Sequence, residues 1–166
     1  AFYYAFGTLH WQAAGLGAGV IGALWATGVV AEIALFLWGR GLVTRLGPVR
    51  LSVIAAGAGA VRWGATALTD DPALLFPIQV LHAASFGAQH LATMTILARV
   101  VPAEGAGTAQ TVHASLGTGL AMGVTTALCG PLYAAAGGFG YVAMAALCLA
   151  AVPASFALGK ALAARS

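Results

Sequence analysis

Five ionisable side chains interrupt stretches that are otherwise apolar: Glu32, Arg62, His82, His90 and His113. Inside a hydrocarbon layer an Arg or Asp at a helix centre costs about 2.5–3.5 kcal/mol, so such groups call for a partner or a task. Glu32, His90 and His113, with Gln110 one turn from His113, offer one chemistry. A carboxylate beside imidazoles can hold and pass a proton, because burial moves both group types toward a common titration range. The same trio could instead be interhelical glue, with Glu32 paired to one histidine. Arg62 offers a second chemistry. It stays charged at any relevant pH, and no Asp or Glu of this chain is expected at its depth. Its counter-ion is then an acid outside this chain or an anionic ligand, unless it snorkels outward or bonds helix-end carbonyls. Gln79 and His82, one turn apart, could add hydrogen bonds at that level. Tyr3, Tyr4 and Trp25 present flat faces with polar edges that suit an aryl ligand and suit helix packing equally.

The elements that must hold these groups follow from composition. Hydrophobic residues make up 61% of 166 and charged residues 7%. Soluble domains carry about 25% charged residues, so this chain cannot cover a water-facing surface. A membrane crossing takes about 20 apolar residues, and such runs are expected at 17–39, 49–69, 73–97, 107–130 and 139–159. The breaks between them fall at His10-Trp11-Gln12, Arg40 to Arg50, Asp70-Asp71-Pro72, Arg99 to Gly107, and Gly130-Pro131 to Gly138. Residues 1–9 are too few to span and are expected to be the outgoing end of a truncated helix, with more protein upstream. The expectation is an all-α integral membrane bundle of six helices, the first incomplete.

Depth follows from the rise of about 1.5 Å per residue. Glu32, His90 and His113 should lie on the order of 10 Å from one boundary, and Arg62 and His82 about 12–15 Å from the other. Two separate polar layers are expected.

Arg40, Arg45, Arg50, Arg99, Lys160 and Arg165 all fall on one side when successive spans alternate, whereas His10, Asp70 and Asp71 fall on the other. The positive-inside rule puts the basic loops and the C-terminus in the cytoplasm, as for a bacterial-type inner membrane. The net charge of +3 is thus a topology signal; no basic stripe with interleaved aromatics suggests nucleic acid. Trp38, Trp11, Tyr133 and Tyr141 lie where interfacial aromatic belts belong. Gly119-xxx-Gly123 and Ala18-xxx-Gly22 would permit close helix approach.

Enzymatic chemistry finds little to build on. His113 and Ser115 are two apart on one helix and point about 200° apart, too divergent to bond. No HExxH, phosphate loop or dinucleotide fingerprint occurs, so neither metal nor cofactor is expected. Cys129 and Cys148 lack CxxC spacing and read as small packing residues.

The whole pattern resembles the C-terminal half of a major facilitator superfamily transporter. The loop GRGLVTRLGPVR resembles that superfamily's loop motif in its degenerate second copy, through Arg40, Arg45, Gly47 and Arg50, although Thr44 stands where an acidic residue would. WQAAGLGAGVIGALWATGVVAEIALF (11–36), AVRWG (60–64), QVLHAASFGAQHLATM (79–94) and GPLYAAAGGFGY (130–141) are similar to the phenylpropionic acid permease group. That resemblance implies a twelve-helix proton symporter, with an N-terminal six-helix half as partner and a small substrate between the halves. It makes an aromatic carboxylate the expected substrate; by their own chemistry Arg62, His82, Gln79, Tyr3, Tyr4 and Trp25 are the candidate binding residues and Glu32, His90 and His113 the candidate proton carriers. The proton-coupled lactose permease is similar in placing a carboxylate, an arginine and a histidine on the corresponding helices. That permease has a second carboxylate one turn after the histidine, where this chain has Ser85. A neutral sugar or nucleoside symporter and a non-transporting membrane scaffold remain the alternatives.

Overall fold

The computed structural model describes residues 1–164; Arg165, one of the expected cytoplasmic cations, and the side chain of Arg40 lie outside the described residues. The described chain is helical throughout: α1 (Phe2–Ala13), α2 (Ala18–Trp38), α3 (Arg40–Thr66), α4 (Pro72–His82), α5 (Ala88–Val100), α6 (Ala106–Val112), α7 (Ala121–Ala136) and α8 (Tyr141–Ala163). A π-helical segment, Ala83–Gly87, joins α4 to α5 without a break, and another, His113–Leu120, joins α6 to α7. Short 3-10 turns, Ala103–Gly105 and Gly137–Gly140, lead into α6 and α8.

Several expected breaks are helical instead. His10, Trp11 and Gln12 lie within α1, and the Gly130-Pro131 pair lies within α7. The basic loop is also wound: α3 starts at Arg40 and is interrupted only at Gly47 (φ 72°, ψ 165°), where a left-handed residue before Pro48 redirects the chain. The expected six helices are therefore five wound stretches among the described residues, 2–13, 18–38, 40–66, 72–100 and 103–163, of which the third bends at Gly47 and the last at Gly137. The last two expected spans merge because the 3-10 turn at Gly137–Gly140 keeps the chain wound, although Gly137 (φ 53°, ψ −134°) still turns it. By length and hydropathy only Ala18–Trp38 and Ala103–Ala163 qualify to cross a membrane among the described residues. Basic side chains dilute α3, and Gln79, His82, Gln89 and His90 dilute 72–100. Asp71 caps α4 as a helix start requires, its Oδ1 accepting from the Ala73 N–H at 2.9 Å.

Helix α3 is the hub. It packs most extensively along α8, then along α5, α4 and the first π segment, while α2 packs on α4 and on the same π segment. Glycines permit the close approaches: a Cβ on Gly59 would sit 2.7 Å from Cys148 Sγ, and one on Gly28 would sit 3.4 Å from His82 Cβ. Gly123 and Gly22 have nothing within 4 Å, and Gly119 meets only a carbonyl of its own helix, so the expected small-residue motifs are not the packing points.

Phe2, Tyr3, Trp11, Leu24, Leu75 and Tyr141 form the main buried cluster. Trp11 and Tyr141 are fully buried, because α1 delivers Trp11 to an aromatic core in which Trp63 and Tyr141 stack at 5.8 Å. Trp38 is 79% exposed.

Candidate functional site

The buried polar residues are concentrated on the helices that meet at α3. Arg62 is 2% exposed and Gln79 not at all, and His82 is buried beside them. Local geometry explains the grouping. Gln79, His82 and Ser85 recur every three residues and so follow one face of the 72–100 stretch. On α2, Glu32 lies one turn beyond Gly28, the position that lets α4 come close.

A chain of close polar contacts results, hydrogen bonds from Tyr3 to His82 and an ion-pair contact from His82 to Glu32. Tyr3 donates its hydroxyl proton to Gln79 Oε1 at 2.9 Å, and Arg62 Nη2 donates to the same oxygen at 2.9 Å. Arg62 Nη1 lies 2.9 Å from His82 Nδ1 and 3.5 Å from Ser85 Oγ. A guanidinium can only donate, so Nδ1 must be the accepting nitrogen and a neutral His82 carries its proton on Nε2. Nε2 in turn lies 3.3 Å from Glu32 Oε2. The order is Tyr3, Gln79, Arg62, His82, Glu32.

No carboxylate lies within ion-pair distance of Arg62; among the described residues the ion pairs are His10–Asp70 at 2.8 Å and His82–Glu32. Its charge rests instead on two aromatic faces, with Cζ 4.2 Å from the Trp63 ring centre and 4.8 Å from that of Tyr3. Its buried Nε, and Nε2 of Gln79, have no hydrogen-bond partner. Trp11 Nε1 and Tyr141 OH are likewise buried without a partner among the described residues, so the aromatic core and the Arg62 network share this feature.

A cavity of about 330 Å³ opens against this network. Tyr3, Tyr4, Arg62, Trp63, His82, Ser85, Phe86, Gln89 and Cys148 line it. Such a volume lies within the range of small-molecule sites, about 300–1,000 Å³.

The structure gathers Tyr3, Gln79, Arg62 and His82 and leaves the other expected residues at graded distances. Tyr4 lines the cavity, half exposed; Trp25 lies behind it, 4.4 Å ring to ring from Tyr3, donating to Thr8 Oγ1 at 3.1 Å. His90 is exposed; Phe86 bridges it to His82, with rings nearly parallel at 5.2 and 6.5 Å. His113 is not brought to Glu32: its π segment packs chiefly on α6 and α7, its own continuation. The two expected layers are consequently one network, because Glu32 meets the histidine expected in the other layer. Arg45 is exposed, and Arg50, also exposed, lines a different cleft. Sequence reasoning missed Trp63, Phe86, Ser85 and Gln89 as lining residues and read Cys148 as packing. Trp63 was signalled by adjacency to Arg62; Cys148 reaches the cavity only through the α3–α8 contact.

Residues 1–143 match the MFS_1 like family. Over 156 residues the chain is 35% identical to the "Probable 3-phenylpropionic acid transporter" of Escherichia coli (strain K12), an alignment that covers 94% of this chain and 40% of that protein. The chain thus spans about two fifths of the length of that relative. No solved structure matches it.

Proposed function

Because the chain belongs to the MFS_1 like family, a family of membrane transporters and not of enzymes, we propose that it is the C-terminal half of a twelve-helix, proton-coupled carrier for a small aromatic carboxylate. The observation that carries this reading is Arg62: a buried guanidinium on a cavity wall, with no carboxylate partner among the described residues. A ligand carboxylate supplies the missing counter-charge, and charge-assisted bonds to a guanidinium are short and directional. Trp63, Tyr3, Tyr4 and Phe86 supply faces for the ring. The name of the E. coli relative points to the same substrate class. The carrier sits in the inner membrane with its C-terminus in the cytoplasm.

Coupling follows from the shared guanidinium. While Arg62 donates to His82 Nδ1, that nitrogen cannot take up a proton. A substrate carboxylate that draws the guanidinium toward itself frees Nδ1; the imidazole then accepts a proton, and as imidazolium it pairs with Glu32. Substrate and proton therefore load together, and the proton stays on the His82–Glu32 pair until the substrate leaves and Arg62 returns to Nδ1.

The test is binding of the acid and of its amide to the complete protein. Arg62→Gln should lower affinity for the acid by about 1.5–3 kcal/mol, roughly ten- to a hundredfold. Arg62→Lys should lose part of that, and the amide should bind wild type weakly and change little in either variant. Equal losses for acid and amide would assign Arg62 to holding the bundle together.

A further inference from the structure

A second and larger cleft, about 720 Å³, lies where the start of α3, the end of α5 and the end of α8 meet. Two guanidiniums, Arg50 and Arg99, stand on its walls, and the rest of the lining is apolar, including Val49, Val100, Phe156 and Leu162. The floor is set by a tight contact: a Cβ on Gly159 would lie 3.0 Å from Val49 Cγ1, so α8 runs directly against α3. Among the described residues neither arginine has a carboxylate within ion-pair distance, and Glu104, the nearest acid in sequence, on the following 3-10 turn, forms no ion pair with Arg99.

We infer that this cleft binds one anionic phospholipid, its phosphate between Arg50 and Arg99 and an acyl chain along α8. Two unpaired cations at one mouth of an apolar cleft are complementary to a headgroup that is anionic and carries its own hydrocarbon. A free inorganic anion would satisfy the arginines and leave the apolar walls bare. The walls also continue beyond the mouth: Phe156 and Leu149, two turns apart on one face of α8, are both exposed, which gives the chain a track into the bilayer. Basic pockets between helices at the cytoplasmic surface select anionic headgroups on the same electrostatic grounds. The cleft is separate from the Arg62 cavity, and the inference holds whichever substrate the carrier moves.

The complete protein, reconstituted in phosphatidylcholine nanodiscs with limiting phosphatidylglycerol, provides the test, read as phosphatidylglycerol retained per carrier by native mass spectrometry. Arg50→Gln and Arg99→Gln should each weaken retention roughly fivefold, and the pair about thirtyfold. Lys160→Gln, at the same end of the bundle but off the cleft, should leave the retained lipid at this site unchanged, and the double Arg→Lys variant should keep most of it. Inorganic phosphate at tens of millimolar should not displace the lipid. Retention by the double Gln variant equal to that of Lys160→Gln, or complete displacement by inorganic phosphate, would overturn the inference. If the double variant does not purify as a monodisperse carrier, the two single variants decide the matter.

Discussion

Arg62 and Glu32 each touch a different nitrogen of one imidazole, so the tautomer of His82 is imposed from one side and used on the other. Replacing Glu32 by Gln keeps the shape and removes the charge that the relay needs. In the complete protein Glu32→Gln should abolish uphill accumulation of substrate driven by a proton gradient while leaving exchange down a substrate gradient intact, because a neutral residue imitates the protonated carrier. Transport assays in vesicles, run with and without an imposed pH gradient, read both quantities. Accumulation at the wild-type level would reduce Glu32 to an interhelical hydrogen-bond partner. Most of this set was legible from residue type alone, since Arg62, Gln79, His82 and Glu32 are costly residues in apolar runs. Their mutual partners were not. Depth estimates put Glu32 about 5–8 Å from the level of Arg62 and His82 in a hydrocarbon layer about 30 Å thick. That gap is within the reach of a glutamate and an imidazole extended toward each other, so two layers estimated from Cα heights became one network.

Helix α3 earns its central place from small residues on the faces it presents to α8 and α5. Ala55, Ala88 and Ala92 are buried around Leu51, and Ser52 joins the same seam by donating to Gln89 Oε1 at 2.7 Å while Ser155 of α8 donates to Ser52 at 3.3 Å. Small side chains and short hydrogen bonds suit an interface for which lipid supplies no hydrophobic drive. Gly59 is the tightest point of that interface with α8. Gly59→Ala should destabilise the bundle by about 1–3 kcal/mol, because the new methyl meets Cys148 Sγ. Adding Cys148→Ala should restore most of the loss, whereas Cys148→Ala alone should cost little. Thermal unfolding of the four proteins in detergent closes the double-mutant cycle, and additive losses would show that the two residues do not meet. The sequence suggested other small-residue motifs, at Gly119-xxx-Gly123 and Ala18-xxx-Gly22. Spacing shows that two small residues share a helix face and leaves open whether any neighbour uses that face. The π segments were equally hidden, since Ala83–Gly87 and His113–Leu120 carry no residue type that forbids an ordinary α-turn.

Polar groups are buried within an aromatic core and aliphatic side chains cover much of the outside: Arg62, Gln79 and Ser155 are buried, while Val30, Leu37, Leu128 and Leu149 are exposed. That inversion is what a hydrocarbon solvent favours, and it agrees with membership of a membrane-transporter family. Orientation can be measured directly. With Cys129 and Cys148 replaced, a single cysteine at Thr69, in the turn between α3 and α4, should react with an impermeant thiol reagent on intact cells, and one at Thr108, near the start of α6, should be protected. The reverse pattern would place the basic end outside. Composition and period alone determined that this chain is helical and apolar, which residues would be out of place within it, and which of its ends carries the cations, because these properties depend on local sequence and on transfer from water. Tertiary structure alone decided which of the out-of-place residues meet. An α-helix turns by about 100° per residue, so the direction in which Glu32, Arg62 or Cys148 points depends on how each helix is rotated against its neighbours. That rotation is set by contacts between residues far apart in the chain, such as Gly28 with His82 and Gly59 with Cys148. His113, which has the right chemistry and a suitable depth, stays out of the network because no such contact turns its helix toward Glu32.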